Sequence, residues 1–262
     1  PRTLRPALMR FASLGSGSEG NGLVVEAGGS RLMIDCGFGV RDAAARLARL
    51  GLSPADVDAI VVTHEHSDHV GGVAAFAARH GIPVWLTFGT LTVTGERFTG
   101  VARVYGFDSH DTFAVGALEV RPFPVPHDAR EPVQFVVTDG AVRLGVVTDL
   151  GTSTPVVEAA LSGCDALVLE CNHDAGMLAG GKYPPLLKAR IAGRYGHLDN
   201  ASSAALLASI DTSRLRHVIA AHLSKENNTP AHARAALAGA LNCAADWIGI
   251  ADQAAGFDWR EI

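Results

Sequence analysis

Apolar residues recur along this chain at two spacings, and each predicts its own kind of element. Residues 10–14, 23–27 and 31–35 read as short strands separated by Gly-rich turns. Residues 41–50 read as a helix ended by Gly51, and Ser53-Pro54 pairs an N-cap with Pro at the first helical position of a short turn. The Ile-Val-Val centre of 58–62 predicts a buried strand, and 70–80 a second helix stopped by Gly81. Strands are expected at 84–86, 101–105, 118–123, 133–138 and 142–147. A helix follows at 155–161, a strand at 166–169, an Ala-rich helix at 200–210 and a strand at 217–221. Thr229-Pro230 then opens a last helix running to 241. Runs of strands, then a helix, then strands again describe two sheets covered by helices, an α+β chain rather than a doubly wound sheet. No low-complexity linker or clean repeat divides it.

The polar positions carry the chemistry. Directly after the strand at 58–62 comes His64-Glu65-His66-Ser67-Asp68-His69. In an extended segment residues two apart point the same way, so His64 and His66 can present two imidazoles to one metal. Asp68 and His69 follow the turn and can face a second. Imidazole and carboxylate ligands suit Zn, Mn or Fe, and the spacing is not that of a helical HExxH site. The run is too short to complete a site, and three downstream positions at strand ends offer the rest: His127 in Val125-Pro126-His127-Asp128, Asp149 in Thr148-Asp149-Leu150-Gly151, and His222 in Ala221-His222-Leu223-Ser224. A lone His at a strand end is more often a packed or surface residue. Together these three complete two coordination sets.

Composition changes this picture little. The length, 262 residues, supports a buried core, and a formal net charge of -5 gives no global attraction to nucleic acid. Cys36, Cys164, Cys171 and Cys243 are scattered without a CxxC pair and read as free thiols of a reducing compartment. Residues 1–10 hold no continuous apolar segment of a signal peptide, and no stretch reaches the roughly 18 apolar residues of a membrane span. The expectation is a cytoplasmic protein without membrane association. One local bias stands out: residues 175–198 contain Lys182, Lys188, Arg190 and Arg194 and no acidic residue. Such a stretch would attract a phosphate backbone, and its plainer reading is a solvated basic face. Lys225, just past His222, is another phosphate-contact candidate. Tyr183 could stack on a base, or anchor its loop beside Pro184-Pro185. Asp35 is a candidate to orient a metal-binding His, or a turn residue before Gly37.

The order H-x-H-x-D-H, then His, Asp and His at successive strand ends, resembles the metallo-β-lactamase fold superfamily over nearly the whole chain. The resemblance implies one αββα sandwich domain over 1–262, with two metals at one edge of the sheets. Carried over by motif, His64, His66 and His127 would hold the first metal, Asp68, His69 and His222 the second, and Asp149 would bridge them, with a bridging hydroxide as nucleophile. Zn and Mn suit this set about equally. Several longer stretches are similar to the YycJ/WalJ family: Ser16-Gly17-Ser18-Glu19-Gly20-Asn21, His127-Asp128-Ala129-Arg130-Glu131-Pro132-Val133, Leu169-Glu170-Cys171-Asn172-His173-Asp174, the segment from Arg190 to Asn200, and His222-Leu223-Ser224-Lys225-Glu226-Asn227-Asn228. That family implies nuclease action on DNA, including exonucleolytic action linked to mismatch repair. Glu19 departs from the small residue usual in its loop, so that loop is read as a turn and not as a phosphate site. Similar tRNA-processing nucleases pair a Glu after a strand with a later Gly-His as a proton-donating dyad. Here Glu170 and His197 take those places, and with Asp68 they are the expected catalytic residues; the plainer role of His197 is to cap the next helix. His173 is a candidate partner or substrate contact. A glyoxalase-II-like thioesterase would keep the same ligands, and is the competing expectation.

Overall fold

In the computed structural model, which describes residues 8–262, the first three apolar runs form an antiparallel meander. It comprises β1 (Arg10–Gly15), β2 (Gly22–Ala27) and β3 (Ser30–Ile34). The chain then passes through helix α1 (Val40–Arg49) to β4 (Ala59–Val61), and through α2 (Ser67–Val70) and α3 (Val73–His80) to β5 (Val84–Thr87). Helix α4 (Phe88–Thr94) leads to β6 (Val104–Phe107). β4, β5 and β6 add in parallel beside β3.

The second half repeats this plan. β7 (Phe113–Val115), β8 (Leu118–Pro124), β9 (Val133–Thr138) and β10 (Arg143–Val147) are antiparallel. Helix α5 (Pro155–Leu161) leads to β11 (Ala166–Glu170), and helices α6 (Ala175–Gly180), α7 (Pro185–Ile191) and α8 (Asn200–Ser209) lead to β12 (His217–Ala221). Helix α9 (Pro230–Leu241) precedes the short β13 (Gly249–Ile250), and β11, β12 and β13 add in parallel beside β10. The last strand, β14 (Phe257–Glu261), returns to pair with β1. Among the described residues each sheet thus has seven strands, in the orders β14-β1-β2-β3-β4-β5-β6 and β13-β12-β11-β10-β9-β8-β7.

Period-two alternation sorts side chains onto the two faces of each sheet, and both faces are apolar because both are covered. Phe11, Val25, Leu32 and Val61 meet Phe135, Leu144, Val168 and Ile219 between the sheets. The opposite face of the first sheet, with Val24, Met33 and Ile60, packs on Leu47 of α1 and Phe76 of α3. That of the second, with Leu167, Leu169 and Val218, packs on Val157 of α5, Leu207 of α8 and Leu237 of α9. Three apolar layers separate four structural ones: the αββα arrangement that the resemblance implied.

Helix ends follow the local chemistry. Thr154 and Thr229 each accept a hydrogen bond from the backbone N–H three residues on, with Pro following at the first helical position. The departures from expectation have physical causes. The helix expected over 70–80 begins earlier and is interrupted, because the 36–38 turn lies against the backbone of 68–72. Cys36 N–H donates to the His69 carbonyl at 2.9 Å and Gly72 N–H to the Cys36 carbonyl at 2.8 Å. A β-carbon on Gly72 would strike the Phe38 carbonyl, and one on Gly37 the Asp68 carbonyl. The strand expected at 101–105 lies at Val104–Phe107. α4 was not expected: its Phe-Gly-Thr-Leu-Thr-Val-Thr sequence favours strand, but Thr87 caps it by accepting from Thr90 N–H, and the Glu131 carboxylate accepts from Gly89 N–H. The short or charged elements β7, α6, α7, β13 and β14 also lacked a periodic signal. The reading of residues 1–7 lies outside the described residues.

Candidate metal centre

Five segments converge at one edge of the two sheets, at the ends of β4, β8, β10, β11 and β12. The loop after β4 brings His64 and His66, and the first turn of α2 brings Asp68 and His69. His127 follows β8, Asp149 follows β10, Glu170 ends β11, and His222 follows β12. The donor atoms of His64, His66 and His127 lie within 4.8 Å of one another, as do those of Asp68, His69 and His222, and those of His64, His69 and Asp149. All seven expected ligands therefore share one cluster, with Asp149 against both triads.

The rings are aimed by what holds their far nitrogens. His69 Nδ1 is 2.8 Å from Asp35 Oδ2, and its Nε2 is 2.9 Å from Asp149 Oδ2. Asp35 also accepts from the Thr63 N–H and hydroxyl, each at 2.8 Å, and Thr63 Oγ1 lies 2.9 Å from His64 Nδ1. Asp35 itself adopts φ 60°, in the left-handed region, so its carboxylate turns back under the site. His127 Nδ1 donates to the Gly196 carbonyl at 3.0 Å, which turns its Nε2 to within 3.2 Å of His66 Nδ1. Asn21 accepts from Ser16 and Gly17 and places its amide nitrogen 3.0 Å from His69 Nε2. The Ser16–Asn21 turn is thus a buttress for Asp68 and His69.

A cation fits this arrangement by a direct observation: His64 Nε2 is buried and makes no hydrogen bond. Such an atom is costly to bury unless something takes it. Charge is balanced internally in the protein alone. Burial acts against Asp149, but His222 and His69 outweigh it and hold the carboxyl well below its usual range. Burial likewise acts against a charged His222, but Asp149, Asp68 and Glu170 together push its pKa up to about 10. His64, buried among other imidazoles, is held well below its ordinary value and so stays neutral, as a ligand requires.

Glu170 and His197 meet beside the cluster. Glu170 Oε1 is 2.7 Å from His197 Nδ1 and 3.2 Å from His222 Nδ1, while Oε2 accepts from the Leu150 and Leu198 N–H groups at 2.8 and 3.1 Å. Burial disfavours charge on both partners, yet their attraction lowers the Glu170 pKa and raises that of His197. Asp149, Glu170, His197 and His222 also lie close enough to count as a possible ligand group.

A cleft of about 380 Å³ opens onto this centre, lined by Asp68, Asp149, His197 and His222 on its floor and by Tyr183, Leu187, Arg190 and Ile191 on one wall. Of the basic candidates only Arg190 lines it. Lys188 Nζ donates to the Ala179 carbonyl at 2.7 Å, Arg194 lies over the ring of Tyr195, and Lys182 is exposed outside the cleft. Lys225 lies outside the cleft and is paired on the surface with Glu19 at 2.6 Å. His173 is 2% exposed and off the cleft; it bridges to Asp199 and its carbonyl accepts from Asn200 N–H. Its place is to join the segments carrying Glu170 and His197, where a substrate does not reach. The sequence reading missed Thr63, Asn21, Glu65 and Asp128. Each stands inside or beside a quoted run, but the partner its side chain meets is brought by the fold. Glu65 accepts from Arg130 N–H at 2.6 Å and so pins the loop that follows His127.

Comparison with known proteins agrees with this geometry. A family model described as "Beta-lactamase superfamily domain" matches residues 30–222. The chain is 33% identical to exodeoxyribonuclease YycJ of Bacillus anthracis over 228 residues, 86% of each chain. It is 30% identical to exodeoxyribonuclease WalJ of Streptococcus pneumoniae over 223 residues, 84% of this chain and 83% of that one. The crystal structure of the metallo-beta-lactamase fold protein YhfI from Bacillus subtilis superposes with a TM-score of 0.77 at 15% identity, over 98% of this chain and all of that one. A shared four-layer scaffold, a family match spanning His64 to His222 and identity sustained over most of both relatives have one meaning: the chain belongs to the metallo-β-lactamase fold superfamily, within its YycJ/WalJ family.

Proposed function

We propose that this chain is a metal-dependent phosphodiesterase that degrades DNA from an end. The observation that carries the phosphodiester reading is the Glu170–His197 dyad at the floor of the cleft, 3.4 Å from Asp149 across His197 Nδ1. The choice of DNA and of an exonucleolytic mode is supported by the names of the relatives, both exodeoxyribonucleases.

His64, His66 and His127 would hold one divalent cation, Asp68, His69 and His222 a second, and Asp149 would stand between them. Zinc and manganese both suit this set. Bound there, such cations supply Lewis acidity toward the non-bridging phosphate oxygens and lower the pKa of water. The protein's own contribution is proton handling and orientation. Glu170 engages His197 Nδ1, which leaves Nε2 as the nitrogen free to give a proton to the departing oxygen of the sugar. Glu170 also engages His222 Nδ1, so one carboxylate sets the direction of both rings.

Short DNA oligonucleotides blocked at the 5′ or the 3′ end, offered with added zinc or manganese beside a glutathione thioester, test this reading. Cleavage of the 3′-blocked strand from its free 5′ end is expected, lost on chelation. Turnover of the thioester alone would replace the proposal with the thioesterase. DNA repair in the cytoplasm is the proposed setting, and loss of the gene is expected to raise spontaneous mutation frequency.

A further inference from the structure

The wall of the cleft holds an ion pair that neither the dyad nor the seven metal-facing residues explain. Asp128 sits beside His127, with Oδ1 3.5 Å from His127 Nε2 and 3.7 Å from His66 Nε2, at the open side of the first triad. Its other oxygen accepts from Arg190 Nε at 2.6 Å. Arg190 belongs to α7, so the pair ties the loop after β8 to a helix on the far side of the cleft. That loop is fixed: Glu65 accepts from Arg130 N–H, Gly89 N–H donates to Glu131, and Gly151 N–H donates to the Pro126 carbonyl at 2.8 Å.

The mode of pairing matters. Asp128 takes only Nε, and both terminal nitrogens of Arg190 are without a partner among the described residues. A guanidinium held by its inner edge presents its outer fork, the geometry that matches two oxygens of a phosphate. Among the described residues Arg190 is the only Lys or Arg lining the cleft, and three carboxylates, Asp68, Asp128 and Asp149, line it as well. Beside Arg190 the wall is apolar, with Tyr183, Leu187 and Ile191, a surface suited to the face of a base.

We infer that Asp128 and Arg190 form a phosphate-reading clamp: Asp128 positions the guanidinium, and Arg190 grips the phosphate next to the scissile one. The clamp makes the site select a polynucleotide over a simple phosphodiester. This rests on the phosphodiesterase reading and deepens it by naming how the chain continuing past the cut is held.

The experiment compares a DNA oligonucleotide with bis(p-nitrophenyl) phosphate, which has no neighbouring phosphate, on the metal-loaded enzyme. For Arg190→Ala the ratio of kcat/KM values, oligonucleotide over small diester, is expected to fall about tenfold or more, mainly through KM. The slope of log affinity against log salt for the oligonucleotide is expected to become shallower by about one. Arg190→Lys is expected to recover part of the ratio, since it keeps the charge but not the fork. Asp128→Asn is expected to move the ratio in the same direction, and the double variant to lose little beyond Arg190→Ala. An unchanged ratio or an unchanged salt slope in folded Arg190→Ala would overturn the clamp alone. Wild-type enzyme that hydrolyses the small diester but no oligonucleotide would overturn the nuclease reading, and the clamp with it.

Discussion

Glu170 joins the two histidines whose tasks differ most. One oxygen faces His197 and His222, the other takes two backbone N–H groups, and the side chain is fully buried. Because His197 touches Glu170 and lines the cleft, its loss should act on chemistry before structure. His197→Ala is expected to lower kcat by about 10²–10⁴-fold with metal content unchanged by elemental analysis. Loss of metal in that variant would instead make His197 a ligand, the role its nearness to Asp149, Glu170 and His222 also permits. Asp149 is the opposite case. It is buried against both triads, with Oδ2 2.9 Å from His69 Nε2, so Asp149→Ala is expected to lose both metal and activity. Full metal content and wild-type turnover in that variant would refute the paired site. At this scale the sequence was informative where residue types are rare and clustered, as in His64 to His69. It was silent on Thr63 and Asn21, whose roles depend on hydrogen bonds to partners brought by the fold.

Among the elements, the contact of the 36–38 turn with α2 governs the site's precision. A β-carbon on Gly37 would strike the Asp68 carbonyl, and Asn21 N–H donates to that same carbonyl at 2.7 Å. Gly37→Ala is therefore expected to cost about 1–3 kcal/mol through overpacking, read as a lower denaturant midpoint. It should also weaken metal binding, because Asp68 is displaced with its backbone; tight metal binding in a destabilised variant would separate the two effects. Long periodic segments such as α5, α9 and β12 were legible because a single spacing runs through each. α4 and β14 were not, since capping contacts and an edge pairing with β1 override weak local preferences.

For the whole molecule, the metal-free site is an ion-pair network, and metal binding must compete with its protons. His222, raised to about 10, is protonated near neutrality in the metal-free protein, and the pKa of His69 is likewise raised by Asp149, Asp35 and Asp68 against the effect of burial. Protonated His222 therefore supports the metal-free fold at neutral pH, and that support is lost as pH rises toward 10. A ligating imidazole must be neutral, so metal uptake near pH 7 is expected to release protons, and apparent affinity to fall on acidification. Titration calorimetry in buffers of different ionisation enthalpy reads the proton count; uptake without release would contradict this charge assignment. Chelation is expected to lower Tm, because ligand bound only to the folded state stabilises it by mass action.

The two halves share a strand plan, three antiparallel pairings followed by three parallel ones, although no repeat shows in the sequence. Sequence by itself determined the layers and the donor set, because alternation in strands and the chemistry of His and Asp are local properties written in residue order. Only the tertiary structure decided that Lys225 pairs with Glu19, that His173 faces inward, and that Asp128 reaches Arg190 across the cleft. Those outcomes depend on distances between segments far apart in the chain, and such distances exist only once the two sheets have packed.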